Sequence, residues 1–270
     1  MQRNILVLLT LIINYSAICQ SKSQSQWQQQ VDYTIDVSLD DINHVLKGNI
    51  EMVYTNNSPN ELEVIYMHLW PNGYRNLNTA FAKQMQENGE MNFYYSKPKE
   101  KGFIDGLAFK IDGRNVNVEI ADDNIDVIKL LLTSPVKSGQ KVTISTPFNV
   151  KVPKVFSRLG HKNQDYFITQ WYPKPAVYDV NGWNPMPYLN MGEFYSEVGS
   201  FDLSVSLPQN YTIVATGECK TKDELKAQKS GTTPDDDLIS STERKTVRFT
   251  ASDVHDFAWF ASKRWGYVTK

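Results

Sequence analysis

The chain has 270 residues, a formal net charge of −2 and 41% hydrophobic residues. That balance gives no basic bias toward nucleic acid or acidic membranes, and the hydrophobic share is that of a globular core. The length supports one large β domain or two small ones.

Residues 1–19 read as a secretory signal. Arg3 supplies the positive end, residues 5–13 form an apolar run broken by Thr10, and Ala17, Ile18 and Cys19 make a cleavage site before Gln20. The run is too short to span a bilayer. The expected location is therefore secreted or periplasmic. The alternative is a lipoprotein acylated at Cys19, which the bulky Ile18 disfavours. Once Cys19 is removed, Cys219 is the only thiol and no disulfide forms within the mature chain.

Residues 20–30 are rich in Ser and Gln, a flexible leader. Period-two alternation then predicts strands over 31–39, 46–55 and 62–69, with turns at Asp40 and Asp41 and at 56–59. Residues 72–106 are the least regular part, with two helical turns over 79–86 ended by Gly89 and a charged loop at 97–101. Strands resume at 107–111, 116–120, 126–132 and 141–150, with reversals at Gly113 and Gly139. Late strands are expected at 200–207, 211–215, 246–251 and 256–261. Between them, 220–244 is polar, with a short helix over 223–229 and a flexible insertion over 230–237. Asp235, Asp236 and Asp237 lack the interleaved Gly and later bidentate acid of a calcium loop, so they read as a solvated acidic loop. Many short strands with little helical periodicity predict an all-β sandwich or saddle.

The segment 167–208 stands apart. Trp171, Trp183, several Tyr and the prolines 173, 175, 185 and 187 crowd a stretch with few charges. Proline fixes φ and aromatics fold a connection onto a surface, so this reads as a long, irregular but ordered connection of the kind that carries function. Trp171 and Trp183 suit a core or a stacked sugar ring.

No catalytic or metal-binding residue is assigned. The four histidines, His44, His68, His161 and His255, are scattered and none begins H-E-x-x-H, which places two ligands on one helix face around a water-activating Glu. G-x-S-x-G, P-loop and Rossmann patterns are absent. Cys219, beside Glu218 and Lys220, has no evident base.

Several segments together resemble the N-terminal domain of aminopeptidase N-like zinc metallopeptidases, in their bacterial secreted branch. They are Met67-His68-Leu69-Trp70-Pro71-Asn72, Thr169-Gln170-Trp171-Tyr172-Pro173, Gly192-Glu193-Phe194-Tyr195, the strand 201–207 closed by Pro208, Ala215-Thr216-Gly217, and 254–260. The resemblance implies an N-terminal β domain over 31–263, with 264–270 starting a catalytic thermolysin-like domain not in this chain. That domain would be the partner and would hold the zinc; this chain would need no cofactor of its own. The substrate would be a peptide with a free N-terminus. By the same resemblance Gln170 projects into the cleft and its amide oxygen accepts from the peptide's α-ammonium. Many relatives carry Glu or Gln where this chain has Tyr172, which brings no negative charge; Glu193 or Glu197 would have to replace it. Gln170, Tyr172 and Glu193 are thus the expected substrate-binding residues. The family's G-x-M-E-N loop is absent, and Met191-Gly192-Glu193-Phe194 is only superficially similar. The alternative function is a stand-alone periplasmic or cell-surface β-rich module that binds peptide or carbohydrate.

Overall fold

A computed structural model describes residues 27–226 and 239–265. The signal at 1–19, the leader up to residue 26, the insertion at 230–237 with its three aspartates, and residues 266–270 lie outside the described residues. The fold is all-β: mostly strand, with little helix.

The alternation read in the sequence is what builds the largest sheet, which has nine strands. Its central ladder runs Arg244–Val254, Gly199–Pro208, Gln30–Asp40, Val45–Thr55 and Lys141–Lys151. Neighbours are antiparallel except Gln30–Asp40 and Gly199–Pro208, which are parallel. Tyr33 lies opposite Met52 and Phe201, and Ile35 opposite Ile50 and Leu203. All six are buried, so every second residue of three adjacent strands faces one core.

Two four-stranded sheets and one two-stranded hairpin accompany it among the described residues. One orders Gly160–Lys162, Asp165–Ile168, Trp259–Ser262 and Thr212–Ala215. The other orders Lys174–Pro175, Leu62–His68, Asn124–Val136 and Asn117–Ala121. A single apolar cluster draws residues from the three larger sheets, including Ile35, Ile65, Leu130, Ile168 and Trp259.

The helix expected over 79–86 forms at Ala80–Glu87, where Thr79 Oγ1 accepts from Ala82 N at 3.2 Å and donates to Gly73 O at 2.7 Å. Phe81, Ala82 and Met85 are its buried face.

Three expectations are corrected. The strand at 107–111 shrinks to Lys110–Ile111, hairpinned to Arg114–Asn115. The strand at 256–261 begins only at Trp259, because Asp256 leaves the ladder and turns its carboxylate to other partners. The connection 167–208 is less irregular than its composition suggests: Lys174–Pro175 pairs with the strand Leu62–His68, and Val177–Asp179 makes a hairpin with Gly182–Asn184.

Gly199 marks where the parallel pair begins. A Cβ there would sit 1.6 Å from Val31 O. Gly199→Ala must push the two strands apart, and is expected to destabilise the fold by about 1–3 kcal/mol or more. A chemical-denaturation midpoint unchanged from wild type would contradict this close approach.

Candidate functional site

Three segments that are distant in sequence meet around one buried lysine. Pro173 and Pro175 fix the backbone on either side of Lys174, whose residue pairs with His68 across the sheet. Lys174 is only 1% exposed, and its Nζ donates to Gln170 Oε1 at 2.8 Å and to Asp256 Oδ1 at 3.0 Å. The ammonium also lies 4.7 Å from the centre of the Trp70 ring and 5.0 Å from that of Tyr172. Burial pushes its pKa down; the Asp256 carboxylate, by charge and by hydrogen bond, holds it up.

Asp256 is the hub. Its Oδ1 accepts from Tyr172 Oη at 2.6 Å, Lys174 Nζ, and its neighbour Phe257 N at 2.9 Å, while Oδ2 accepts from Gln170 Nε2. Its side chain keeps 24% exposure. Gln170 reaches both partners from a left-handed backbone at φ 53°, uncommon for a residue with a side chain. Trp171 Nε1 donates to Phe257 O at 3.0 Å, tying the two segments together a second time.

The sequence-expected residues fall as follows. Gln170 is buried with both amide atoms bonded inside the chain, so the oxygen expected to meet a peptide ammonium is taken by Lys174. Tyr172 is buried and donates to Asp256; burial, then that carboxylate, drives its own pKa well up. Glu193 is exposed and makes no hydrogen bond or ion pair to this cluster. Its neighbour Phe194 packs on Trp70, ring centres 4.7 Å apart. Gln170 and Tyr172 therefore come together and Glu193 stays outside. Sequence reasoning assigned no role to Lys174, Asp256 or Trp70. The available signal was a lone charge in each of two otherwise apolar segments.

The acid nearest in sequence after Glu193 is Glu197, and it serves a different place. It is buried, its Oε1 accepts from Tyr178 N at 3.1 Å, and its pKa is pushed up to about 7, chiefly by burial.

The residues present do not fit a zinc ion. Among the described residues no group of three or more His, Cys, Asp and Glu could hold a metal. His44 and His161 stack with ring centres 3.6 Å apart, and their Nδ1 atoms face Tyr166 Oη and Asn163 O. Burial, helped by the neighbouring imidazole, pushes His44 down to about 4. His68 stacks on Trp70 at 4.3 Å, and burial, then Lys174, push it down to about 3 against the opposing pull of the Asn184 backbone. The Cys219 thiol is pushed up by burial, the wrong direction for a nucleophile.

No family model matches this chain, and no curated protein matches it. Among solved structures, a single-residue mutant of an M1 zinc metallopeptidase from Deinococcus radiodurans aligns with a TM-score of 0.46 at 12% identity, over 88% of this chain and 42% of that one. The mutant bound to a Tyr-Ser-Ala substrate gives 0.48 and 12%, over 87% and 42%. The M1 zinc metallopeptidase from the same organism gives 0.44 and 13%, over 87% and 41%. This chain thus spans about two-fifths of the length of those structures.

The cluster's energetics are asymmetric, because Lys174 is sealed and Asp256 is partly solvated. Asp256→Ala, which strands a buried ammonium, is expected to cost about 3–5 kcal/mol. Lys174→Met should cost less, since water can take up the freed carboxylate. Gln170→Ala leaves both partners one bond short and should cost about 1–3 kcal/mol. Urea denaturation of the three variants checks the order; Lys174→Met as the worst would contradict it.

Glu197 sets a pH dependence. Its folded pKa lies above its ordinary value of 4.5, so the fold is favoured at low pH and loses stability as pH rises from about 4.5 to about 7. The full loss is about 3 kcal/mol. Glu197→Gln should remove that fall when stability is measured at pH 4.5 and 7.5, and equal pH slopes in both proteins would refute it.

Proposed function

We propose that residues 31–263 are the N-terminal β domain of an aminopeptidase N-like zinc metallopeptidase, forming one wall of a peptide-binding cleft. The zinc and its water-activating acid would come from a catalytic thermolysin-like domain. The observation that carries this reading is convergence. Three segments that carry the resemblance meet at Lys174: Thr169 to Pro173 and Val254 to Phe260 through the hydrogen bonds to Asp256, and Met67 to Asn72 through the Trp70 ring over the ammonium.

On this reading Asp256 supplies the negative charge that Tyr172 lacks. Tyr172 Oη and the Asp256 carboxylate are 2.6 Å apart, so a carboxylate occupies the neighbourhood where many relatives carry Glu or Gln. Gln170, with its oxygen taken by Lys174, positions Asp256 instead of greeting the substrate directly. The exposed part of Asp256 would accept the α-ammonium of a peptide. Export from the cytoplasm through the signal at 1–19 belongs to the same proposal.

The test uses the complete natural protein. It should contain one zinc per chain and hydrolyse peptides with a free N-terminus. Asp256→Asn should lower kcat/KM on free peptides by about ten- to a hundredfold, the worth of one hydrogen bond to a charged group, and leave N-acetylated peptides unaffected. Circular dichroism on the same samples confirms that the variant is folded. A complete protein without zinc or peptide hydrolysis overturns the family reading. A folded Asp256→Asn with unchanged preference overturns the role of Asp256.

A further inference from the structure

A second polar feature lies apart from the Asp256 cluster and shares no residue with it. A pocket of about 570 Å³ opens between Trp27 and Gln28, the hairpin strand Val177–Asp179, and the run that ends at Glu197. Trp27 and Tyr178 stack with ring centres 5.5 Å apart and an interplanar angle of 27°. Tyr195, which is 45% exposed, donates from its hydroxyl to Asp179 Oδ2 at 3.4 Å. No Lys, Arg or His lines the pocket among the described residues.

Glu197 is the informative member. It is 2% exposed and its Oε1 is held by Tyr178 N, while its Oε2 has no donor at full hydrogen-bond geometry among the described residues; the exposed Gln28 side chain lies close enough only to offset part of the rise in its pKa. A buried oxygen without a donor is a costly arrangement that a donor would relieve. The lining therefore offers an acceptor short of a well-placed donor, a second carboxylate at Asp179, and the stacked aromatic pair of Trp27 and Tyr178. Two carboxylates repel an anionic ligand. Two are too few for an all-protein metal cage, and no metal-holding group is present among the described residues. The chemistry that satisfies all three features at once is a positively charged nitrogen that carries N–H donors and an alkyl body.

We propose that this pocket binds an organic ammonium ion, with its N–H on Glu197 Oε2, its charge balanced by Asp179, and its alkyl chain against Trp27 and Tyr178. The inference does not rest on the peptidase reading. It carries a pH signature. Glu197 is pushed up to about 7, mainly by burial and with Asp179 adding to the shift, while Tyr33, Tyr54 and the pocket's own Tyr195 are the other titratable groups that feel its charge. A bound cation favours the ionised carboxylate, so binding releases a proton and strengthens as pH rises from 6 to 8.

The test is an NMR titration of the full chain with n-butylammonium chloride, following the backbone amides of Gln28, Tyr178 and Glu197. Potassium chloride, sodium acetate and glucose serve as comparison ligands. The expected result is a saturable shift with n-butylammonium alone, about fivefold or more tighter at pH 8 than at pH 6. Glu197→Gln should weaken binding about tenfold and abolish the pH dependence. Asp179→Asn and Tyr195→Ala, both outside the core, should weaken it as well, and they stand in if Glu197→Gln does not fold. The proposal is overturned by no saturable shift at these amides. It is equally overturned by glucose or potassium binding as well as the amine, or by affinities unchanged in every folded variant.

Discussion

The ammonium of Lys174 is 1% exposed, and a cation that far from water has to be matched. Asp256 matches it, and much local geometry follows. Gln170 adopts a left-handed backbone that lets its amide bridge the two charges. Two prolines hold Lys174 in register with His68. Trp70 and Tyr172 present ring faces to the ammonium. The strand that begins at Trp259 starts late because Asp256 has been drawn aside.

This arrangement needs a rigid frame, and the nine-stranded sheet supplies it. The parallel pairing of Gln30–Asp40 with Gly199–Pro208 joins the first described strand to one that follows the aromatic connection. A parallel pair cannot be closed by a tight turn, so the intervening chain has to travel away and return. That chain contributes one four-stranded sheet whole, two strands of the other, and the connection itself. Tyr33 packs on both Tyr172 and Phe201, with ring centres 5.5 and 4.4 Å apart, and so links the sheet to the Asp256 cluster.

Charged groups taken out of water mark the places where this β structure departs from an inert core. Burial raises Asp126 to about 6 and Glu197 to about 7, and lowers His44 and His68 to about 4 and 3. Asp126 answers a structural need, accepting from Tyr188 N at 2.7 Å to anchor the connection. His68 stacks under Trp70, behind the lysine. Glu197 differs in having an oxygen left over, beside an aromatic pair and a second acid. Buried polar groups are usually satisfied, so the unsatisfied one in a pocket is the natural place to look for a ligand.

The strands were legible from residues alone, because a half-buried strand writes its two faces into every second position. The alternation from Val31 to Leu39 and from Val142 to Val150 marks the long strands, and Thr79 with the apolar spacing after it marks the helix. The sequence also showed that 167–208 was ordered and unusual, through its prolines and tryptophans. It did not show what that segment holds. Lys174 and Asp256 are 82 residues apart, and neither carries a local signature of the other. The resemblance implied a Gln170 amide turned to a peptide, but which atoms reach the amide depends on Asp256 arriving from a distant segment of the chain. The same is true of Glu197, whose raised pKa comes from what packs over it. Period and turn chemistry are properties of neighbours in the chain. Burial, charge pairing and an unpaired oxygen are properties of neighbours in space, and only the tertiary structure decides those.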